Sequence, residues 1–77
     1  MLRVENTRSD VYDPETNIHT CVLDLQVSSS SDLPEKDSLI GNAKVAPGSM
    51  AQSIQDGTFY TLDDSGTWYD SDGNAAS

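Results

Sequence analysis

Within Ile18 to Val27, Cys21, Leu23, Leu25 and Val27 fall on one side of the chain and Thr20, Asp24 and Gln26 on the other. A two-residue repeat sets the first group against a core and the second toward water, so the stretch is a β-strand, and no 3.6-residue spacing fits as well. Val22 breaks the polar set, which predicts a second face that is partly covered. Ahead of it, Asp13-Pro14-Glu15-Thr16-Asn17 has turn chemistry: proline fixes one dihedral, and Asp and Asn side chains bond nearby backbone. With Asp10-Val11-Tyr12 before it, the turn predicts a hairpin whose first strand is short. Leu2-Arg3-Val4-Glu5 reads as a further strand or a docking arm.

The segment Ser28-Ser29-Ser30-Ser31-Asp32-Leu33-Pro34-Glu35-Lys36-Asp37-Ser38 is polar and without period, hence a long loop. Four serines have nothing to bury, so the loop reads as a flexible connector, with a partner-contacting loop as the other reading. Leu33 is the one residue in it able to pin the loop to the body. Leu39-Ile40 and Ala43-Lys44-Val45-Ala46, split by Gly41-Asn42, read as edge strands. The C-terminal half is punctuated by Pro47-Gly48, Asp56-Gly57 and Asp63-Asp64-Ser65-Gly66, with Met50 to Gln55, Thr58 to Leu62 and Thr67 to Tyr69 between them. This predicts three short antiparallel strands in a meander. Leu23 and Leu25 from the Ile18 to Val27 strand, with Tyr60, Leu62 and Trp68, make the expected core, and Ile54 is expected to join them. No helix of ordinary length is indicated, and the tail Asp70 to Ser77 is expected to fray. The fold class is therefore mostly β: a small antiparallel sheet, or a sandwich- or barrel-like meander, with one long polar loop.

Size and charge narrow the function classes. With 77 residues the chain holds one small domain, read as an N-terminal hairpin portion over 1–31, a meander over 32–69 and a tail over 70–77. The apolar fraction is 35%, against roughly 45–50% in soluble domains on a count that includes glycine, so the core is expected to be thin. The only cysteine, Cys21, rules out an internal disulfide, which leaves association with other chains as the favoured source of extra stability. A net charge of -9 repels phosphate backbones and anionic membranes, so neither nucleic acid nor membrane is an expected partner. No apolar run approaches the ~20 residues of a membrane span, and Met1-Leu2-Arg3-Val4-Glu5 lacks the apolar stretch of a secretory signal, so release into the cytoplasm is expected.

Asp32-Leu33-Pro34, Pro47-Gly48-Ser49-Met50-Ala51, Asp56-Gly57-Thr58-Phe59-Tyr60-Thr61-Leu62-Asp63 and Ser65-Gly66-Thr67-Trp68 together form a recognisable pattern. It resembles that of small tailed-bacteriophage virion proteins: a DLP, a GS after a gap, a Y-x-L-D strand and a G-x-W turn. The likeness covers Asp32 to Tyr69, half the chain, and each element also has a folding reason. It implies a structural component of the phage particle, made in the host bacterial cytoplasm and carried in the virion. The expected role is decorating or cementing the head by docking on the major capsid protein or another virion protein, in many copies or as a homo-oligomer. The alternative is a tail, fibre or baseplate component that binds a carbohydrate or host receptor through Phe59, Trp68 and Tyr69. Met1 to Ser31 carries no part of the pattern.

Chemistry weighs less. His19 and Cys21 share a strand face and offer a nitrogen and a sulfur, but two ligands do not make a zinc site. A thiol turned toward apolar neighbours also keeps a high pKa, which disfavours Cys21 as a nucleophile. Asp70-Ser71-Asp72-Gly73-Asn74 imitates the start of a calcium loop, yet glycine comes fourth rather than sixth and no glutamate follows. Asp63 and Asp64 read as solvated turn acids, and so small a body hardly builds a two-carboxylate cleft. The expectation is no enzyme, no catalytic residue, no metal and no cofactor. The contact surface is expected at Leu2, Val4, Tyr12, Leu39 and Val45, where strand edges invite pairing with a neighbouring chain.

Overall fold

A computed structural model of the chain describes residues 1–76. Alternation makes β2 (Ile18–Val27) the centre of a seven-stranded sheet, and Cys21, Leu23, Leu25 and Val27 are its buried side. One edge of β2 pairs antiparallel with β1 (Leu2–Asp13) through the predicted turn. There Asn17 adopts a φ of 58° and its N–H bonds the Asp13 carbonyl at 2.8 Å, while the Asp13 carboxylate accepts from the Glu15 N–H. The first strand is thus twelve residues long rather than short, and it absorbs the Leu2–Glu5 segment. Its period is broken by bulges between Val4 and Asn6 and between Thr7 and Ser9, which shift the face of each later side chain and hide the strand from a search for alternation.

The other edge of β2 is shared by two short strands that both run parallel to it: β4 (Ala43–Val45) along its first half and β5 (Met50–Ser53) along its second. The sheet is therefore mixed, where antiparallel pairing alone was expected. The register offset is 24 residues at β4 and 26 at β5, so the chain between them, Ala46 to Ser49, bulges out of the ladder. The hydroxyl of Ser49 repairs the gap. It accepts the Leu23 N–H at 3.1 Å and donates to the Ala46 carbonyl at 2.7 Å, and the residue is fully buried.

Beyond β4 lies β3 (Leu39–Ile40), and beyond β5 the meander continues through β6 (Phe59–Leu62) and β7 (Trp68–Asp70), all antiparallel. Alternation along β6 buries Tyr60 and Leu62 and leaves Phe59 and Thr61 outside. With Trp68, Leu23, Leu25, Cys21, Val45 and Ala51 they form the core on one face of the sheet. Ile54 follows the last residue of β5 into the turn and is 53% exposed, so it is outside the core it was expected to join.

The long polar loop covers that core face. It folds into one 3-10 turn at Ser30–Asp32, Leu33 packs on the core, and the Pro34 carbonyl accepts the Trp68 indole N–H at 2.6 Å. The amino group of Met1 meets the Asp32 carboxylate at 2.6 Å, and Lys36 Nζ bonds the Asp64 carbonyl at 2.9 Å. A connector expected to be flexible is thus tied at four points. The tail is held too: Ala75 bridges to Tyr69, Ala76 N–H bonds the Trp68 carbonyl at 2.7 Å and Ala76 packs on the core. The expected fraying of the tail at Ser77 lies outside the described residues.

Candidate interaction surface

Eleven of the twelve residues of β1 are exposed, which no other element of the sheet approaches. At about 3.3 Å per residue a strand of this length spans about 40 Å, and the molecule's longest dimension is 39 Å, so the β1–β2 hairpin sets the length of the body. Total accessible surface, 4532 Å², matches the roughly 4,600 Å² of an ordinary compact chain of this mass. The body is therefore closed over its own core, and the deficit of cover is local to β1. No strand among the described residues pairs with its outer edge.

Of the residues expected at a contact surface, Val4 and Tyr12 are exposed on β1, and Leu2 is half-buried at the rim of the core. Leu39 is exposed on β3, on the opposite face of the sheet and separated from β1 by β2 and β4. Val45 is 0% exposed: alternation on β4 directs it into the core beside Cys21, so it is no contact residue. The sheet edge at β1 thus gathers three of the five and separates the fourth. Val11, 64% exposed on β1, belongs to the same edge, and the broken period of the strand leaves it without a signal of its own in the sequence.

The outer face carries a shallow groove of about 290 Å³ bordered by Glu5, Asp24, Met50, Gln52 and Phe59. Phe59 and Tyr69 lie on this face, whereas Trp68 is 2% exposed on the other, so the three aromatic rings do not form one platform.

The remaining chemistry-bearing groups are engaged in structure. His19 Nδ1 lies 2.7 Å from Asp10 Oδ1 across the hairpin, its ring packs against Tyr12 at a 40° tilt with a centroid distance of 4.7 Å, and the Tyr12 hydroxyl donates to Asn17. Burial pushes the Cys21 thiol pKa above its usual value, and the neighbouring Asp10 carboxylate adds to the effect, so the thiolate is disfavoured twice over. Asp63 Oδ1 accepts from the Ser65 and Thr67 N–H groups, and Asp70 Oδ1 accepts in the same way from Asp72 and Asn74. These carboxylates close two consecutive turns of one design, each with a glycine at a φ near 90° three residues on. The backbone donors of Thr67 and Ser65 and the Ser65 hydroxyl hold the Asp63 pKa below its usual value. Among the described residues no three His, Cys, Asp or Glu side chains converge as metal ligands, and no helix is long and apolar enough to cross a membrane. Compared with family models, curated proteins and solved structures, the chain matches none.

Proposed function

We propose that the chain is a structural protein of a tailed-bacteriophage virion that decorates or cements the head by docking on the shell protein. The observation that carries this reading is how the four motif elements meet. Pro34 of the DLP accepts the indole N–H of Trp68 from the G-x-W. Gly48 N–H bonds the Leu62 carbonyl at 2.8 Å, and the Leu62 N–H returns to Ser49 at 2.9 Å, which joins the GS to the Y-x-L-D. The elements of the pattern that resembles the virion proteins thus meet in one body built around β2, and β1, which like β2 lies outside the pattern, is left as the exposed element.

The burial of Trp68 favours this role over sugar binding on a fibre, since a stacking platform needs its rings accessible and on one face. Docking adds burial to a small body, and an acidic exterior keeps decorated particles apart. The test is co-sedimentation of the purified protein with empty heads of the encoding phage assembled without it. Saturable binding at a fixed ratio to shell protein is expected, and a protein left wholly in the supernatant overturns the reading.

A further inference from the structure

The open edge of β1 carries a pattern of its own. On β2, the backbone of Cys21 and Val27 accepts from Ala46 and Ile54, that of His19 donates to Asn42 and that of Leu23 to Ser49, all on the β4–β5 side. Alternation gives Leu25 the same direction. In an antiparallel pair, the residues opposite these turn their own N–H and C=O the other way. Those residues on β1 are Leu2, Val4, Thr7, Asp10 and Tyr12, so they present the free hydrogen-bonding groups of the edge. Their spacing is two, three, three and two residues, because each bulge inserts one.

A regular strand offers outward groups every two residues and falls out of step with this edge at both bulges. The spacing is, however, the same read in either direction about Thr7. A second β1 laid antiparallel across a two-fold axis at Thr7 meets it group for group: Leu2 opposite Tyr12 of the other copy, Val4 opposite Asp10, and Thr7 opposite Thr7. The bulged pair Glu5-Asn6 then faces Arg8-Ser9 of the other copy; within each chain Glu5 is already paired with Arg3, and Arg8 with Asp24 and the Gly48 carbonyl, so the match rests on backbone spacing and not on charge.

We infer that β1 is a self-recognition edge, and that two copies of this chain join through it into one continuous sheet with two-fold symmetry. The bulges, which ordinarily blunt an edge against strange strands, here select the one strand that has the same irregularity. The inference goes beyond the virion reading and does not depend on it, since the isolated protein is the test material.

The experiment is sedimentation velocity over a concentration series with three proteins. The unaltered chain is expected to reach a dimer. Thr7→Pro removes an N–H that faces the open edge and not β2, so it is expected to retain the melting temperature and circular dichroism of the unaltered chain and to sediment as a monomer. Thr7→Cys sets two thiols across the axis at a Cα separation of about 5.5 Å, within disulfide reach, and is expected to form a covalent dimer under mild oxidation. Ser31→Cys, on the loop, is the control and is expected to cross-link far less. A strictly monomeric unaltered chain, dimers that persist in folded Thr7→Pro, or equal cross-linking of Thr7→Cys and Ser31→Cys each overturn the inference.

Discussion

The Trp68 indole N–H donates to the Pro34 carbonyl at 2.6 Å and so fastens the 28–38 loop across the core face of the sheet. The contact spans 34 residues of sequence, and it joins the largest buried side chain to a segment whose composition gives it no reason to fold by itself. The loop's order is therefore borrowed from the meander.

Trp68→Ala removes both the ring and the tether. Loss of a buried aromatic ring typically costs about 3–5 kcal/mol, as much as a core of this size is expected to supply, so the variant should be unfolded by circular dichroism at room temperature. Trp68→Phe keeps most of the apolar contact but orphans the carbonyl, at about 1–3 kcal/mol in urea titration. In that variant, amide exchange should rise first in residues 28–38.

Ser49→Ala tests the repaired ladder. The hydroxyl accepts from Leu23 and donates to Ala46, so its loss leaves a buried N–H without a partner. The expected cost is about 1–3 kcal/mol by urea denaturation, larger than for Ser31→Ala on the exposed loop surface.

Asp63 predicts an acid-labile turn. Its pKa in the folded chain lies below the unfolded value because the Thr67 and Ser65 donors favour the carboxylate. The stability this contributes is therefore present above the unfolded pKa and is lost as pH falls through the lower folded one. Asp63→Asn should be less stable than the unaltered chain by a constant margin above about pH 5, and the margin should shrink below about pH 4, as the unaltered carboxylate is protonated. A margin that stays constant to the lowest pH contradicts the assignment.

Cys21 should behave as a core residue. With its thiol pKa raised by burial and by Asp10, alkylation by iodoacetamide at neutral pH is expected to be far slower in the folded chain than in urea. Rapid labelling of the folded protein contradicts the placement.

How much of this was legible depended on whether period two survived in the sequence. It survives in β2 and in Phe59 to Leu62, and there the strands and the burial of Leu23, Leu25, Tyr60 and Leu62 follow from spacing alone. It fails in β1, where bulges at Glu5 and Arg8 change phase twice, so a twelve-residue strand reads as two fragments. Val45 was misplaced because a three-residue strand between Asn42 and Pro47 does not announce which face it buries; pairing with Cys21 decides that. Ile54 misled in the other direction, being apolar but one residue past the strand end. Parallel pairing of β4 and β5 with β2 has no local signal at all, since it depends on where the 28–38 loop returns the chain.

The proposed place of this chain on a phage head is put to the sharpest test by quantitative mass spectrometry of purified particles of a phage that encodes it. The expected result is a copy number comparable with that of the shell protein. A handful of copies per particle, or none, contradicts it.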